Sequence, residues 1–262
     1  MFQPVIPSVG LTGWRFLQQT YDTQFETFSR SRVIQNDAEY FRESIASVTS
    51  AEALVSDRRL LTVALGAFGL QDDINNRFFL QKVLQDGILN QDALANRLAD
   101  KRYRNFSEAF GFGPSEFLQT GRSDFPERII GQFEANAFEI AAGEQDGAMR
   151  IALYAQRELE VLAVSEASTD TKWFTVMGDP PLRELFERAL NLPNTIGQID
   201  IDQQLDIFKD RARFVFGTDG FDQFRQDSAR QDVITKFVIR DQASQLNAGF
   251  SSNAIALTLL QN

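Results

Sequence analysis

Histidine and cysteine are both missing from this sequence. The first absence removes the side chain that most often serves as a general base near neutral pH. With it go the Ser-His-Asp triad and the commonest transition-metal ligand. The second absence excludes disulfides, thiolate catalysis and Cys-held zinc or iron–sulfur clusters, and leaves the redox compartment open. Positive charge is also short: 26 Lys and Arg face 36 Asp and Glu, a net charge of −10. Non-specific attraction to nucleic acid or to an anionic membrane is thereby disfavoured. No apolar run approaches the length that spans a bilayer, so no membrane insertion is expected. Met1-Phe2-Gln3-Pro4-Val5-Ile6-Pro7 lacks a basic start and a long apolar core, so it does not read as a secretory leader, and a soluble cytoplasmic protein is expected.

What is present suits a packed body. Hydrophobic residues make up 43% and charged residues 24% of 262, enough for one large domain or two small ones. Phe is over-used, with 24 against 4 Tyr and 2 Trp. Its ring has no polar handle, so the excess points to packed interiors or apolar contact surfaces. No run of β-branched residues alternates with period two, and the expected class is all-α.

One stretch occurs twice. Asp57 precedes Leu60, Val63, Ala64, Ala67 and Phe68, and Asp179 precedes Leu182, Leu185, Phe186, Ala189 and Leu190, in the same phase. This is the spacing of one helix face. Each Asp can cap the first free N–H groups, and Pro180 and Pro181 fit a first turn. Gly69 and Asn191 hold equivalent places and tolerate the left-handed conformation that ends helices. Further blocks match in one order. Asp100 pairs with Asp210, Ile129-Ile130-Gly131-Gln132-Phe133 with Val233-Ile234-Thr235-Lys236-Phe237, and Ile151-Ala152-Leu153 with Ile255-Ala256-Leu257. The pattern predicts an internal duplication in a multi-helix bundle, each unit burying its face against a neighbour. The expected organisation is an N-terminal arm and helices over 1–49, one helical unit over 50–165 and a second over 166–262, packed as one compact body.

Along the chain, a helix is expected from Gly13 to about Arg30, with Trp14, Leu17, Tyr21, Phe25 and Phe28 on one face. Asn36 and Glu39 read as the cap and box partner of the next helix, and Thr49-Ser50-Ala51-Glu52 as a capping box. Phe78, Phe79, Val83 and Leu84 mark another helix, and Asn90 is expected to cap the one carrying Leu94 and Leu98. Gly111, Gly113 and Pro114 make a break before a long helix opened by Asp124. Gly143 and Gly147 flank a turn, Ser165 to Thr171 reads as a hinge, Asp200 opens a helix with Gln203, and Ser228 opens another. A separate short helix is expected over 251–260.

No catalytic, cofactor-binding or metal-binding residue emerges. Asp72-Asp73 and Asp200-Ile201-Asp202 are the densest carboxylates, and at helix starts such residues complement the dipole. An EF-hand loop from Asp200 fails because its sixth position is Leu205 instead of Gly. Lys101-Arg102-Tyr103-Arg104 could meet phosphate, but beside Asp100 and Glu108 it reads as a solvated helix face. Gly66-Ala67-Phe68-Gly69 fits close helix packing. The Trp14, Phe25, Phe28 stripe and the Ile255, Leu257, Leu259, Leu260 segment read as core, with partner docking as the alternative.

Several strings together resemble the bacterial DUF1217 family: Gly13-Trp14-Arg15-Phe16-Leu17, Glu39-Tyr40-Phe41-Arg42-Glu43, Ala51 to Leu61, Ala64 to Leu70, and Gly178-Asp179-Pro180-Pro181-Leu182. The resemblance carries no catalytic residues. What it implies is context, since such proteins are encoded among flagellar genes. The resulting expectation is a non-enzymatic helical interaction or structural protein tied to flagellar assembly or motility. A protein partner is expected, and a homo-oligomer stays open. The alternative is a small-molecule binder or hydrolase using carboxylates and Arg between the two units.

Overall fold

The computed structural model describes the backbone of residues 2–260 and the side chains of residues 2–246. Among the described residues there are thirteen α-helices and no strands, the expected all-α class. They gather into two compact units, Met1–Pro4 with Thr20–Ala141 and Val5–Gln19 with Ala142–Asn262. Helix α1 (Gly10–Ser29) therefore gives residues to both. The first unit continues with α2 (Arg32–Ser44), α3 (Ala51–Ser56), α4 (Arg58–Ala67), α5 (Arg77–Asp86), α6 (Leu94–Arg97), α7 (Arg102–Phe110) and α8 (Phe125–Gly143), the last reaching just past Ala141. The second holds α9 (Gly147–Val164), α10 (Thr169–Met177), α11 (Pro180–Ala189), α12 (Ile201–Phe216) and α13 (Asp227–Leu260). The dividing line expected at 165/166 falls inside the second unit, at the end of α9.

The helix at the centre of the first unit is α4. Asp57 Oδ1 accepts from the Arg59 and Leu60 amides at 2.9 and 3.1 Å, which satisfies two of the four orphan donors. Leu60, Leu61, Val63, Ala64 and Leu65 are buried, so this helix lies inside the unit and not on its face. Gly66 lets α8 close on it, because a Cβ there would come within 2.6 Å of the Phe133 ring. At its end Gly69 takes φ +67, and the Leu70 amide reaches back to Leu65 O at 2.9 Å. That is the left-handed termination that glycine makes cheap.

In the second unit α11 is built to the same pattern. Asp179 Oδ1 accepts from the Leu182 amide at 3.1 Å, and both prolines sit in the first turn. Leu182, Leu185, Phe186, Ala189 and Leu190 are buried. Asn191 takes φ +54, and the Leu192 amide reaches back to Glu187 O at 2.8 Å. The caps share a second support. The Tyr40 hydroxyl on α2 donates to Asp57 Oδ2 at 2.6 Å, and the Tyr154 hydroxyl on α9 donates to Asp179 Oδ2 at 2.6 Å.

The far ends match too. Asn136 on α8 donates to Ala67 O at 2.8 Å, and Arg240 on α13 donates to Ala189 O and Arg188 O. Arg102 donates to Gly69 O at 2.7 Å, and Arg211 to Leu190 O at 2.8 Å. Carbonyls left open at a helix C-terminus are thus occupied by side chains, three of the four being cations favoured by the dipole. Around these helices the aromatics pack edge to face. Phe138 meets Tyr21, Phe25 and Phe28 in one unit, and Trp173 meets Phe186 and Phe221 in the other.

Several boundaries depart from expectation. Helix α2 starts at Arg32, with Asn36 inside it. No breaker follows Ser31, and Ile34, Ala38 and Phe41 bury at helical spacing, so packing extends the helix upstream of the polar pair. Ser50, one residue after Thr49, caps α3 through the Ala53 amide at 3.2 Å. Asn90 accepts from the Asp92 amide in a turn, and α6 begins without a side-chain cap. Ser168 caps α10, so the expected hinge is an ordered helix junction. Helix α13 runs unbroken to Leu260, which absorbs the separate helix expected over 251–260.

Asp57→Ala and Asp179→Ala should each lower the unfolding free energy by roughly 1–2 kcal/mol, as lost N-caps do. Asp179 is buried and its removal also strands the Tyr154 hydroxyl, so its variant should lose more. Urea denaturation of the full chain measures both. Negligible losses would show that the caps are not under load, and equal losses that the Tyr154 hydroxyl adds nothing to the Asp179 cap.

Candidate functional site

The side chains singled out in the sequence are mostly consumed by the fold. Asp73 accepts from the Tyr103 hydroxyl and from Asn76 Nδ2, the latter at 2.7 Å. Asp200 caps α12 through the Asp202 amide at 2.9 Å. The basic run is not a solvated face throughout. Arg102 is pinned between Asp100 at 2.7 Å and the Gly69 carbonyl, Lys101 reaches Leu98 O, and Arg104 pairs with Glu108 at 3.0 Å. Trp14 and Phe28 are buried, and Phe25 stacks on Tyr21, so that stripe is core. The side chains of Ile255, Leu257, Leu259 and Leu260 lie outside the described residues. Among the described residues no set of three acidic side chains gathers to hold a cation.

A different place in the first unit has the form of a site. On α5, Lys82 and Asp86 lie one turn apart and pair at 2.6 Å. With Asn90, Asp92, Ala93 and Pro114 they line an open cleft of about 360 Å³. The two loops that frame it are locked together. A Cβ on Gly87 would come within 2.7 Å of Gly113 Cα, so the backbones touch where only glycine fits. Glu116 clasps the junction, Oε1 accepting from the Ile88 amide at 2.5 Å and Oε2 from the Gly113 amide at 3.2 Å. From below, Asn96 Nδ2 donates to Ile88 O and Asn90 O, both at 2.8 Å.

The same loop carries a strained residue and an exposed ring. Ser115 sits at φ +65, a conformation that costs a non-glycine residue about 1 kcal/mol or more and persists where surroundings over-determine it. Two residues on, Phe117 is 86% exposed although its carbonyl lies against Gly111, where a Cβ would approach to 2.2 Å. Leu118 and Leu89 are exposed as well, and Phe78 stands one turn before Lys82 on α5. The sequence marked Gly111, Gly113 and Pro114 only as a break. Phe117 in polar company was the available signal, but its exposure depends on which loop meets which.

The perturbed titrations lie elsewhere, at the helix junctions. Burial pushes the Tyr154 hydroxyl well above its ordinary 10.0, with the Asp179 and Glu158 charges adding to the effect. Burial likewise raises Glu158, against the pull of Arg157. Burial and then the bond to Asp73 raise Tyr103. At Asp57 burial opposes ionisation, but the Tyr40 hydroxyl and the Leu60 and Arg59 amides outweigh it and hold the carboxyl below its usual value. Asp57 is itself a cap and Tyr154 supports one, while Tyr103 ties α7 to Asp73 and Glu158 pairs with Arg157.

A family model described as a protein of unknown function, DUF1217, matches residues 67–227, more than half of the chain. No curated protein matches it. Among solved structures, the chain is similar to the crystal structure of a structural-genomics target protein from Agrobacterium tumefaciens, with a TM-score of 0.73 and 24% identity over 91% of this chain and 97% of that one. At that identity the likeness speaks for the fold. No helix among the described residues is long and apolar enough to cross a membrane.

A raised phenol pKa stabilises the folded state fully below the unfolded value and loses that contribution as pH climbs through the folded one. The stability of this protein should therefore hold up to pH 10.0 and fall above it. Tyr154→Phe should flatten that decline in alkaline urea titrations. An unchanged slope in the variant would mean that Tyr154 is not the buried proton holder.

Proposed function

We propose, from the premise that this chain belongs to the DUF1217 family, that it is a non-enzymatic helical interaction protein that works in flagellar assembly or motility. The observation that carries the reading is Phe117, an aromatic ring offered to solvent from a backbone fixed on both sides. An aromatic ring exposed on a rigid support is pre-positioned for contact, since aromatic side chains are common anchors of interfaces. The polar side chains that might have done chemistry are instead spent on helix ends. The flagellar link rests on the family resemblance alone. We also read the two units as copies of one ancestral module, supported by the matching Tyr-to-cap bonds, left-handed ends and plugged carbonyls of α4 and α11.

Deleting the gene should reduce swimming or shorten filaments, and the tagged protein captured from native cells should bring flagellar components with it. Normal swimming, normal filaments and no such components would overturn the assignment.

A second reading, a small-molecule binder, is favoured by one observation, the cleft that sets a cation, two carboxylates and an amide side by side in the first unit. Under it, a thermal-shift screen of small polar metabolites should raise the melting temperature for one chemical class, with Asp92→Asn abolishing the shift. A flat screen would remove this reading.

A further inference from the structure

Resting on the interaction reading, we propose that the cleft of the first unit docks a short stretch of a partner protein in which an apolar side chain is flanked by Lys or Arg. The exposed apolar side chains on the loops that give the cleft Asn90 and Pro114 argue for a peptide. Phe117, Leu118 and Leu89 are exposed on the two loops that Glu116 and the Gly87–Gly113 contact hold together. Their backbones are already ordered, so little entropy is lost when something packs on them. An aromatic side chain presented in this way is the usual anchor of a contact surface.

The charge of the lining selects the flanking residue. The cleft's charged side chains are Lys82, Asp86 and Asp92. Lys82 is neutralised by Asp86 at 2.6 Å, and Asp92 has no cation paired with it among the described residues. The remaining negative field, in a chain of net charge −10, attracts a cationic segment and repels an acidic one. A space of about 360 Å³ takes one or two side chains, not a folded element. The proposed pose sets a Lys or Arg side chain towards Asp92, with its apolar neighbour against the exposed side chains of the same two loops, Phe117 and Leu89. Nucleic acid is disfavoured by the same field.

The test selects a random peptide phage library on the full-length protein and measures the consensus, as synthetic peptides, by fluorescence polarisation. The expected consensus places Lys or Arg next to an aromatic or aliphatic residue. Phe117→Ala should weaken it by about tenfold. Asp92→Asn should weaken it several-fold and flatten its salt dependence. Both residues are exposed, so folding should survive, and Phe214→Ala serves as the control because that ring is 80% exposed in the second unit. No consensus, an acidic consensus, or peptides indifferent to Phe117→Ala would each overturn the proposal. Peptides that bind the wild type and the Phe117 variant equally would sink this cleft and leave the interaction reading standing. A deletion without phenotype would do the reverse.

Discussion

Each unit depends on a helix whose apolar positions are buried and whose two ends are closed by side chains. A helix on the surface can leave its first N–H groups and last carbonyls to water. Helices α4 and α11 bury Leu61, Val63, Ala64 and Leu65 in one and Leu182, Leu185, Phe186 and Ala189 in the other, which draws much of each helix away from water. An unpaired buried backbone group costs a few kcal/mol at most sites, comparable with a large part of a domain's net stability. The fold answers with a capping Asp braced by a Tyr at one end, and with Asn136, Arg102, Arg211 and Arg240 at the other.

This constraint accounts for where the polar residues went. In a sequence without histidine or cysteine, the remaining candidates for chemistry were carboxylates, arginines and tyrosines. Asp57, Asp179, Tyr40, Tyr154, Arg102 and Arg211 are among those that close helices, and the perturbed titrations of Tyr40, Asp57 and Tyr154 follow from that role. Active sites shift pKa values by the same burial and pairing, so the shifts alone would mislead. What separates the two cases here is geometry. Asp57, Tyr40 and Tyr154 are directed at helix N-termini, whereas Lys82, Asp86 and Asp92 line an open cleft.

Features decided within a few residues were legible in the sequence. Asp57, Asp179 and Asp200 lie in local windows where cap chemistry is self-contained, and Gly69 and Asn191 could be read as helix ends from position alone. Asn36 failed because burial of Ile34 and Phe41 carried α2 past it, a tertiary effect that no cap signal reveals. The Glu116 clasp joins residues 28 apart, and the Arg102 bond to Gly69 O joins residues 33 apart. Neither partner announces the other. The Phe excess shows the same limit. Composition said that rings would pack or meet partners, and most do pack, but only the folded units show that Phe78, Phe117 and Phe214 are rings left exposed.

The claim that everything else rests on is that α4 and α11 are the most deeply held elements of their units. Native-state hydrogen exchange measures this directly, because amides deep in a unit exchange only when it unfolds as a whole. The amides of residues 60–67 and 182–189 should be the slowest in their units, with the amides of the 111–118 loop exchanging through small local openings. If α4 and α11 exchanged as early as α5 and α12, the closed ends would not be what holds the units together.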